Sequence, residues 1–216
     1  MKKYNKIIIT LFILLLTQYS CKKDKSGLTE KVVYQTSFSS DDGNWAVGTT
    51  SIVDAHVVNG YYVSRTLTTG AWVTWIDSIF NKPTNEQYIE ASIKVTNNGT
   101  NGGSGGLVWN LVEPVSGNNY IEYYFEISDN GYFTIYGYPN GVNLQLYKDW
   151  TSSTSINLYN FNTVKIKLTD GKLFFYVNGV EVYSMPAIKN TLDEVGMSTG
   201  GETTLEVDYF KAVSFE

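Results

Sequence analysis

Asn-Gly and Asp-Gly steps constrain this chain more than any other feature. They recur at Asn59-Gly60, Asp129-Asn130-Gly131, Asn140-Gly141, Asp170-Gly171 and Asn178-Gly179, and short runs of Val, Ile, Tyr, Phe, Trp and Thr lie between them. Such steps tolerate the left-handed backbone of tight hairpins, so each predicts a reversal between two strands. The segment VKIKLTDGKLFFYVNGVEVYSM, residues 164–185, tests the idea by parity. Side chains alternate faces along a strand. A two-residue turn at Asp170-Gly171 pairs Leu168 with Leu173 and Ile166 with Phe175. A second at Asn178-Gly179 pairs Val177 with Val180 and Phe175 with Val182. The apolar residues then share one face. No 3.6-residue period persists from Val32 onward, so the chain is expected to be all-β, an antiparallel sandwich or barrel.

The segment NYIEYYFEISDNGYFTIYGYPNG, residues 119–141, carries six tyrosines. Ile121, Tyr123, Phe125 and Ile127 alternate with Tyr120, Glu122, Tyr124 and Glu126. An unpaired buried carboxylate is costly, so the glutamates assign the second set to the solvent side and the first to the core. A three-residue loop at Asp129-Asn130-Gly131 keeps Phe133 and Ile135 on the core side, pairing Glu126 with Thr134, Tyr124 with Tyr136 and Glu122 with Tyr138. Continuing the alternation puts Val142, Leu144 and Leu146 inward and Asn143, Gln145 and Tyr147 outward. The expected ligand-binding face is therefore Tyr120, Glu122, Tyr124, Tyr132, Tyr136, Tyr138, Gln145 and Tyr147. Aromatic faces suit sugar C–H groups, and phenols, carboxylates and amides suit sugar hydroxyls. Tyrosine is also favoured on strands in general, so the same face reads as ordinary sheet cover.

The chain opens MKKYNKIIITLFILLLTQYSC, with Lys2, Lys3 and Lys6 ahead of an apolar run from Ile7 to Leu16. That run is about half the length a bilayer-spanning helix needs, as in an export signal. Cys21 is the sole cysteine and has no partner for an intramolecular disulfide. Its setting after Ser20 resembles the lipobox of bacterial lipoproteins, with Gln18 where that pattern usually has an aliphatic residue. The resemblance implies a signal peptide over 1–20, lipid attachment at Cys21 and export to a bacterial membrane, expected to be the outer one, on its periplasmic or surface side. Residues 21–31 are expected to form the lipidated tether and 32–216 the folded domain. The formal charge of −5 becomes about −8 without the three leading lysines, which argues against nucleic acid as a partner.

The succession GLVWN (106–110), YYFEISDNGYFTIYGYPNG, KDWTSSTSIN (148–157), FNTVKIKLTDGKLFFYVNGVEV and LDEVGMSTGG…LEVDYFKAV resembles the concanavalin A-like jelly-roll domains of bacterial surface and secreted proteins. That group includes laminin-G-like modules and domains of the 3-keto-disaccharide hydrolase type. The resemblance spans roughly 33–216 and implies two packed antiparallel sheets, with ligands at the concave sheet or its rim loops. It leaves activity open, because the fold serves glucanases, lectins, carbohydrate-binding modules and spacers alike.

Laminarinase-type members carry Glu-x-Asp-x-x-Glu on one strand. The single Glu-x-Asp here, Glu206-Val207-Asp208, is followed by Lys211 at the third position. Glu122 and Glu126 share a face but stand about 13 Å apart along the strand, longer than a retaining glycosidase pair. No catalytic residue is therefore assigned. Asp41-Asp42-Gly43 beside Asp208 offers oxygen ligands of the type calcium takes, against the simpler reading of a solvated turn. His56, the only histidine, reads as an ordinary strand residue. NNGTNGGSGG (97–106) reads as a flexible rim connection. Trp109 is expected in the core, Trp72 and Trp75 on opposite faces, and Trp45 and Trp150 at the rim. The expectation is a lipid-anchored, non-catalytic glycan binder of the cell envelope. A sugar-acting hydrolase and a protein-docking lipoprotein are the alternatives.

Overall fold

A computed structural model describes residues 28–77, 79–80, 84, 86–100, 102–114 and 119–216. The signal segment, Cys21 and most of the tether lie outside them. Within them run β1 (Glu30–Thr36), β2 (Gly48–Thr49), β3 (Val53–Val58), β4 (Tyr61–Thr66), β5 (Trp72–Ile76), β6 (Glu86–Asn97), β7 (Ser104–Val112) and β8 (Ile121–Ser128). Then follow β9 (Tyr132–Tyr138), β10 (Gln145–Ser152), β11 (Asn162–Thr169), β12 (Lys172–Val177), β13 (Val180–Pro186), β14 (Glu194–Thr199) and β15 (Thr203–Phe215). β1 thus takes up Glu30 and Lys31, which the charge pattern gave to the tether.

Two antiparallel sheets form. One runs β13-β12-β11-β6-β15-β4-β3-β2 with β1 on the far half of β15, and the other runs β10-β9-β8-β7-β14-β5. Both two-residue hairpin turns take the expected form, with Asp170 and Gly171 at φ 49° and 70° and Asn178 and Gly179 at 51° and 78°, the paired left-handed residues of a type I′ turn. Leu168 meets Leu173 and Ile166 meets Phe175 as expected. The β12–β13 ladder departs from the reading after Val177–Val180. A bulge makes Phe175 face Tyr183 instead of Val182, which brings Tyr183 against the core and buries Met185. One extra residue is enough to change which side chains reach the interior.

The core fills the space between the sheets. Ile89, Ile93, Ile166, Phe175 and Phe210 enter from the larger sheet, and Leu107, Trp109, Phe125 and Ile135 from the smaller. Trp109 sits 5.7 Å from Tyr123 and 5.4 Å from Phe175, and Phe125 closes on Phe175 at 5.3 Å. Each of these large side chains contributes about 1.5–3 kcal/mol through burial. Trp45 corrects an expectation. It is buried, edge-on to Phe210 at 5.0 Å, and donates its indole N–H to the Tyr34 hydroxyl. Lying near a turn in sequence did not put it at a solvated rim, because the segment folds back against Tyr34, Tyr62 and Phe210 of the larger sheet.

Candidate functional site

The β8–β9 hairpin forms in the register read from the sequence, with Glu122 opposite Tyr138, Tyr124 opposite Tyr136 and Glu126 opposite Thr134. Gly131, at φ 89°, closes the three-residue loop. Tyr123 packs into the core, while Tyr120, Tyr124, Tyr136 and Tyr138 gather on the outer face of the smaller sheet with Val108, Leu111, Val73 and Trp75. Trp72 turns to the core and Trp75 to this outer cluster, as their opposite parity requires.

The exposure expected for this face needs correction. Tyr124 and Glu126 point outward yet are almost wholly buried, at 5% and 3% exposure. Glu126 is tolerated there because it is not bare: Ser198 Oγ donates to Oε1 at 2.8 Å and Ser104 Oγ to Oε2 at 3.0 Å. The Tyr136 hydroxyl is a third donor to it. Burial still pushes the Glu126 carboxyl above its ordinary range, against the pull of these hydroxyls. Tyr124 and Tyr136 stack at 4.7 Å with their planes 9° apart, an arrangement worth about 0.5–1.5 kcal/mol beyond area burial. Their hydroxyls serve different acids, Tyr124 donating to Glu122 and Tyr136 to Glu126. Both phenols are driven up, by burial first and by the neighbouring carboxylates second.

Room for Glu126 comes from glycine. A β-carbon on Gly106, its cross-strand neighbour, would lie 1.9 Å from the Phe125 carbonyl oxygen. The glycine-rich stretch therefore divides. Residues 98–100 and 102–103 belong to the connection between β6 and β7, whereas Ser104, Gly105 and Gly106 are strand residues of β7 beside the site.

The reading of residues 142–147 is inverted in the structure. Leu146 pairs with Tyr136 and Gln145 with Gly137, so Leu144 and Leu146 stand on the outer face and remain exposed. Gln145 belongs to the opposite side of the edge strand. Tyr147 leans on the core, 6.2 Å from the Tyr123 ring, and its carbonyl accepts the Tyr183 hydroxyl. The turn at Tyr138–Gly141 and the irregular residues after it shift the phase by one, ahead of the bulges that follow Leu146 in β10. A slip of one residue exchanges the two faces of a strand. Six of the eight expected residues thus share the face, and Gln145 and Tyr147 do not.

The outer face holds a cleft of about 450 Å³. Its base is Glu126, Thr134, Tyr136 and Tyr138; Leu144, Leu146, Asp149 and Trp150 form one wall, and Thr69, Ala71, Gly200 and Gly201 the other. Ser104 and Trp150 also border an adjoining hollow of about 320 Å³ that Tyr132 and Asn130 line. Trp150 is 44% exposed and Tyr132 41%. Trp150 is thus at the rim, as expected. Sequence reasoning missed Ser104, Ser198, Asp149, Leu144 and Leu146. The adjacent Gly105-Gly106 pair inside a strand was the one available sign of close approach.

Other expectations resolve simply. Asp41 and Asp42 accept the backbone N–H groups of Gly43 and Asn44, and Asp42 also accepts the Tyr34 hydroxyl. These carboxylates serve the local turn, and among the described residues no three His, Cys, Asp or Glu side chains gather as a metal site would need. His56 pairs with Asp54 at 2.7 Å on the outer face of β3. Glu206 pairs with Lys94 on the outer face of the larger sheet.

No family model matches the chain, and no curated protein is similar to it in sequence. Solved structures are similar. The kappa-carrageenase from Pseudoalteromonas carrageenovora, determined with an oligotetrasaccharide of kappa-carrageenan, aligns over 92% of this chain and 100% of its own with a TM-score of 0.57 and 14% identity. The catalytic domain of an endo-1,3-beta-glucanase (laminarinase) from Thermotoga petrophila RKU-1 gives 87%, 98%, 0.56 and 12%. The carbohydrate-binding module CBM66 from Bacillus subtilis gives 83%, 94%, 0.50 and 13%. At these identities the likeness speaks for architecture. The chain folds as a concanavalin A-like, two-sheet antiparallel jelly roll.

Proposed function

We propose that this is a lipid-anchored protein of a bacterial cell envelope whose jelly roll binds glycan, without catalysis, in the cleft on the smaller sheet. One observation carries the reading. Exposed Trp150 borders both hollows: exposed Tyr132 lines the smaller one with it, and the base of the larger presents Tyr136, Tyr138, Thr134, Ser104 and Glu126. Rings of this kind take the C–H faces of a sugar, and the hydroxyls and carboxylates take its hydroxyl groups. The similar structures named for carrageenan and carbohydrate binding support that use of the fold. Anchoring rests on the sequence before the described residues: three lysines, the Ile7–Leu16 run and Cys21. The test is a panel of plant, algal and host polysaccharides against the full-length chain in detergent. Binding lost in Trp150→Ala is the expected result, and silence across the panel removes the reading. For the anchor, Cys21→Ser should move the protein from the membrane fraction to the soluble one.

A second reading, hydrolysis, has one observation in its favour. Glu126 on β8 and Asp149 on β10 line the same cleft with β9 between them, so their backbones stand about 10 Å apart. That leaves room for a carboxyl pair at the wider spacing of inverting glycosidases. Product release from a bound oligosaccharide, abolished in Glu126→Gln and in Asp149→Asn, would establish it.

A further inference from the structure

We infer that the cleft selects uncharged saccharides and turns away sulfated or uronate-bearing ones, a refinement that rests on the glycan reading above. Among the described residues, the acidic groups lining the two hollows are Glu126 and Asp149, and no lysine or arginine lines either. The lysine of the neighbouring edge strand and four of the larger sheet are engaged elsewhere. Lys148, on the edge strand beside the cleft, turns its ammonium over the Tyr183 ring of the other sheet, 5.9 Å from the centroid. Lys94, Lys165, Lys167 and Lys211 pair with Glu206, Glu90, Glu86 and Glu30 across the larger sheet. Arg65, the only arginine in the sequence, is on β4 of that same sheet.

The chemistry of the lining leads to the same place. A sulfate or carboxylate only accepts hydrogen bonds, and its strong protein partners are guanidinium and ammonium groups. Here it meets Glu126, whose two oxygens are acceptors already engaged by Ser198 and Ser104, and Asp149, whose Oδ1 takes the Trp150 backbone N–H. Bringing an anion into that setting desolvates it without a counter-charge. A sugar hydroxyl both donates and accepts, so it can give its proton to the exposed Asp149 carboxylate and take one from a tyrosine. A carboxylate that hinders an anion thus helps a neutral sugar.

The experiment measures binding of the full-length chain in detergent to neutral β-glucan, mannan, galactan and xylan, each beside its chemically sulfated and its uronate-oxidised form, at low ionic strength. The neutral member of a pair should bind about tenfold or more tightly, and the gap should shrink as salt screens the repulsion. Asp149→Asn should narrow the ratio within each pair, since it removes one charge and keeps the side-chain oxygen. If a sulfated or oxidised form binds as well as its neutral parent, and Trp150→Ala abolishes that binding, the selectivity is wrong while the glycan cleft stands. If no form of any polymer binds, the glycan reading falls and the selectivity with it.

Discussion

The two outer faces of the sandwich use similar residues to opposite ends. On the larger sheet four acidic side chains each meet a lysine: Glu90 with Lys165, Glu86 with Lys167, Glu206 with Lys94 and Glu30 with Lys211. Tyrosines are part of the lattice, Tyr88 donating to Glu30 and Tyr209 to Glu90. That face completes itself and asks nothing of a ligand. On the smaller sheet Glu122 and Glu126 have hydroxyl partners and no cation, the aromatic side chains border a hollow, and Leu144 and Leu146 stay exposed beside it. The difference shows that tyrosines on a strand do not mark a site by themselves. What marks it is a set of polar groups satisfied only by one another, next to aromatic and apolar surface left uncovered.

The largest effect should come from removing the space under the cleft. Gly106→Ala places a methyl against the Phe125 carbonyl, and backbone cannot rotate out of the way as a side chain would. A loss of roughly 1–3 kcal/mol is expected, read as a lowered midpoint in thermal or denaturant unfolding. An unchanged midpoint would mean that β7 and β8 are not this close and that Glu126 is not held as described. Next in size is Trp150→Ala, which should weaken glycan binding about tenfold, equivalent to about 1.4 kcal/mol, with little change in unfolding because the ring is exposed. Equal losses of binding and stability would instead make Trp150 part of the packing.

A smaller and more diagnostic effect is the pH dependence of Glu126. Burial raises its carboxyl above the ordinary 4.5, so the folded state holds the proton more tightly than the unfolded one. Its contribution to stability is present in full below about pH 4.5 and is lost as the pH rises through the folded-state value. Glu126→Gln escapes that loss, and the two serine hydroxyls can rotate to serve an amide. The variant's unfolding midpoint should therefore gain on the parent as pH climbs from 4 toward 7. A gain confined to acid pH would show that the hydroxyls overcompensate burial and that the carboxyl is lowered instead.

Much of this was legible in the chain, and the failures share a cause. Strand, turn and register along 121–138 and 164–177 followed from two-residue parity and the left-handed Asx-Gly residues, since both act over a few neighbouring positions. The burial of Glu126 was not legible, because Ser104 and Ser198, the donors that permit it, come from 22 and 72 residues away. Nor was the inversion of Gln145 and Tyr147, for the irregular loop before them carries no compositional sign. Trp45 reads locally like a turn residue and is buried by strands far along the chain. Local rules gave the faces, and the partners across the sheets decided which of them is wet.

The smallest effect tests the self-contained face. Lys211 reaches the Glu30 carboxylate at 2.7 Å and lies over the Tyr88 ring at 5.6 Å. The hydrogen bond that Lys211 donates to Glu30 is the foremost cause both of the lowering of Glu30 and of the raising of Lys211. A lowered acid contributes stability that is lost as pH falls through its folded-state value, and a raised base contributes stability that is lost as pH climbs past the usual lysine range. The pair should thus act across the whole neutral interval and fade at both extremes. Glu30 is close to half exposed, so water and salt screen the pair, and Lys211→Met should cost under about 1 kcal/mol at neutral pH. The cost should diminish further with added salt, while binding in the cleft on the other sheet should not change. Loss of glycan binding in Lys211→Met would tie the two faces together and end the distinction between a lattice that is complete and a cleft that is not.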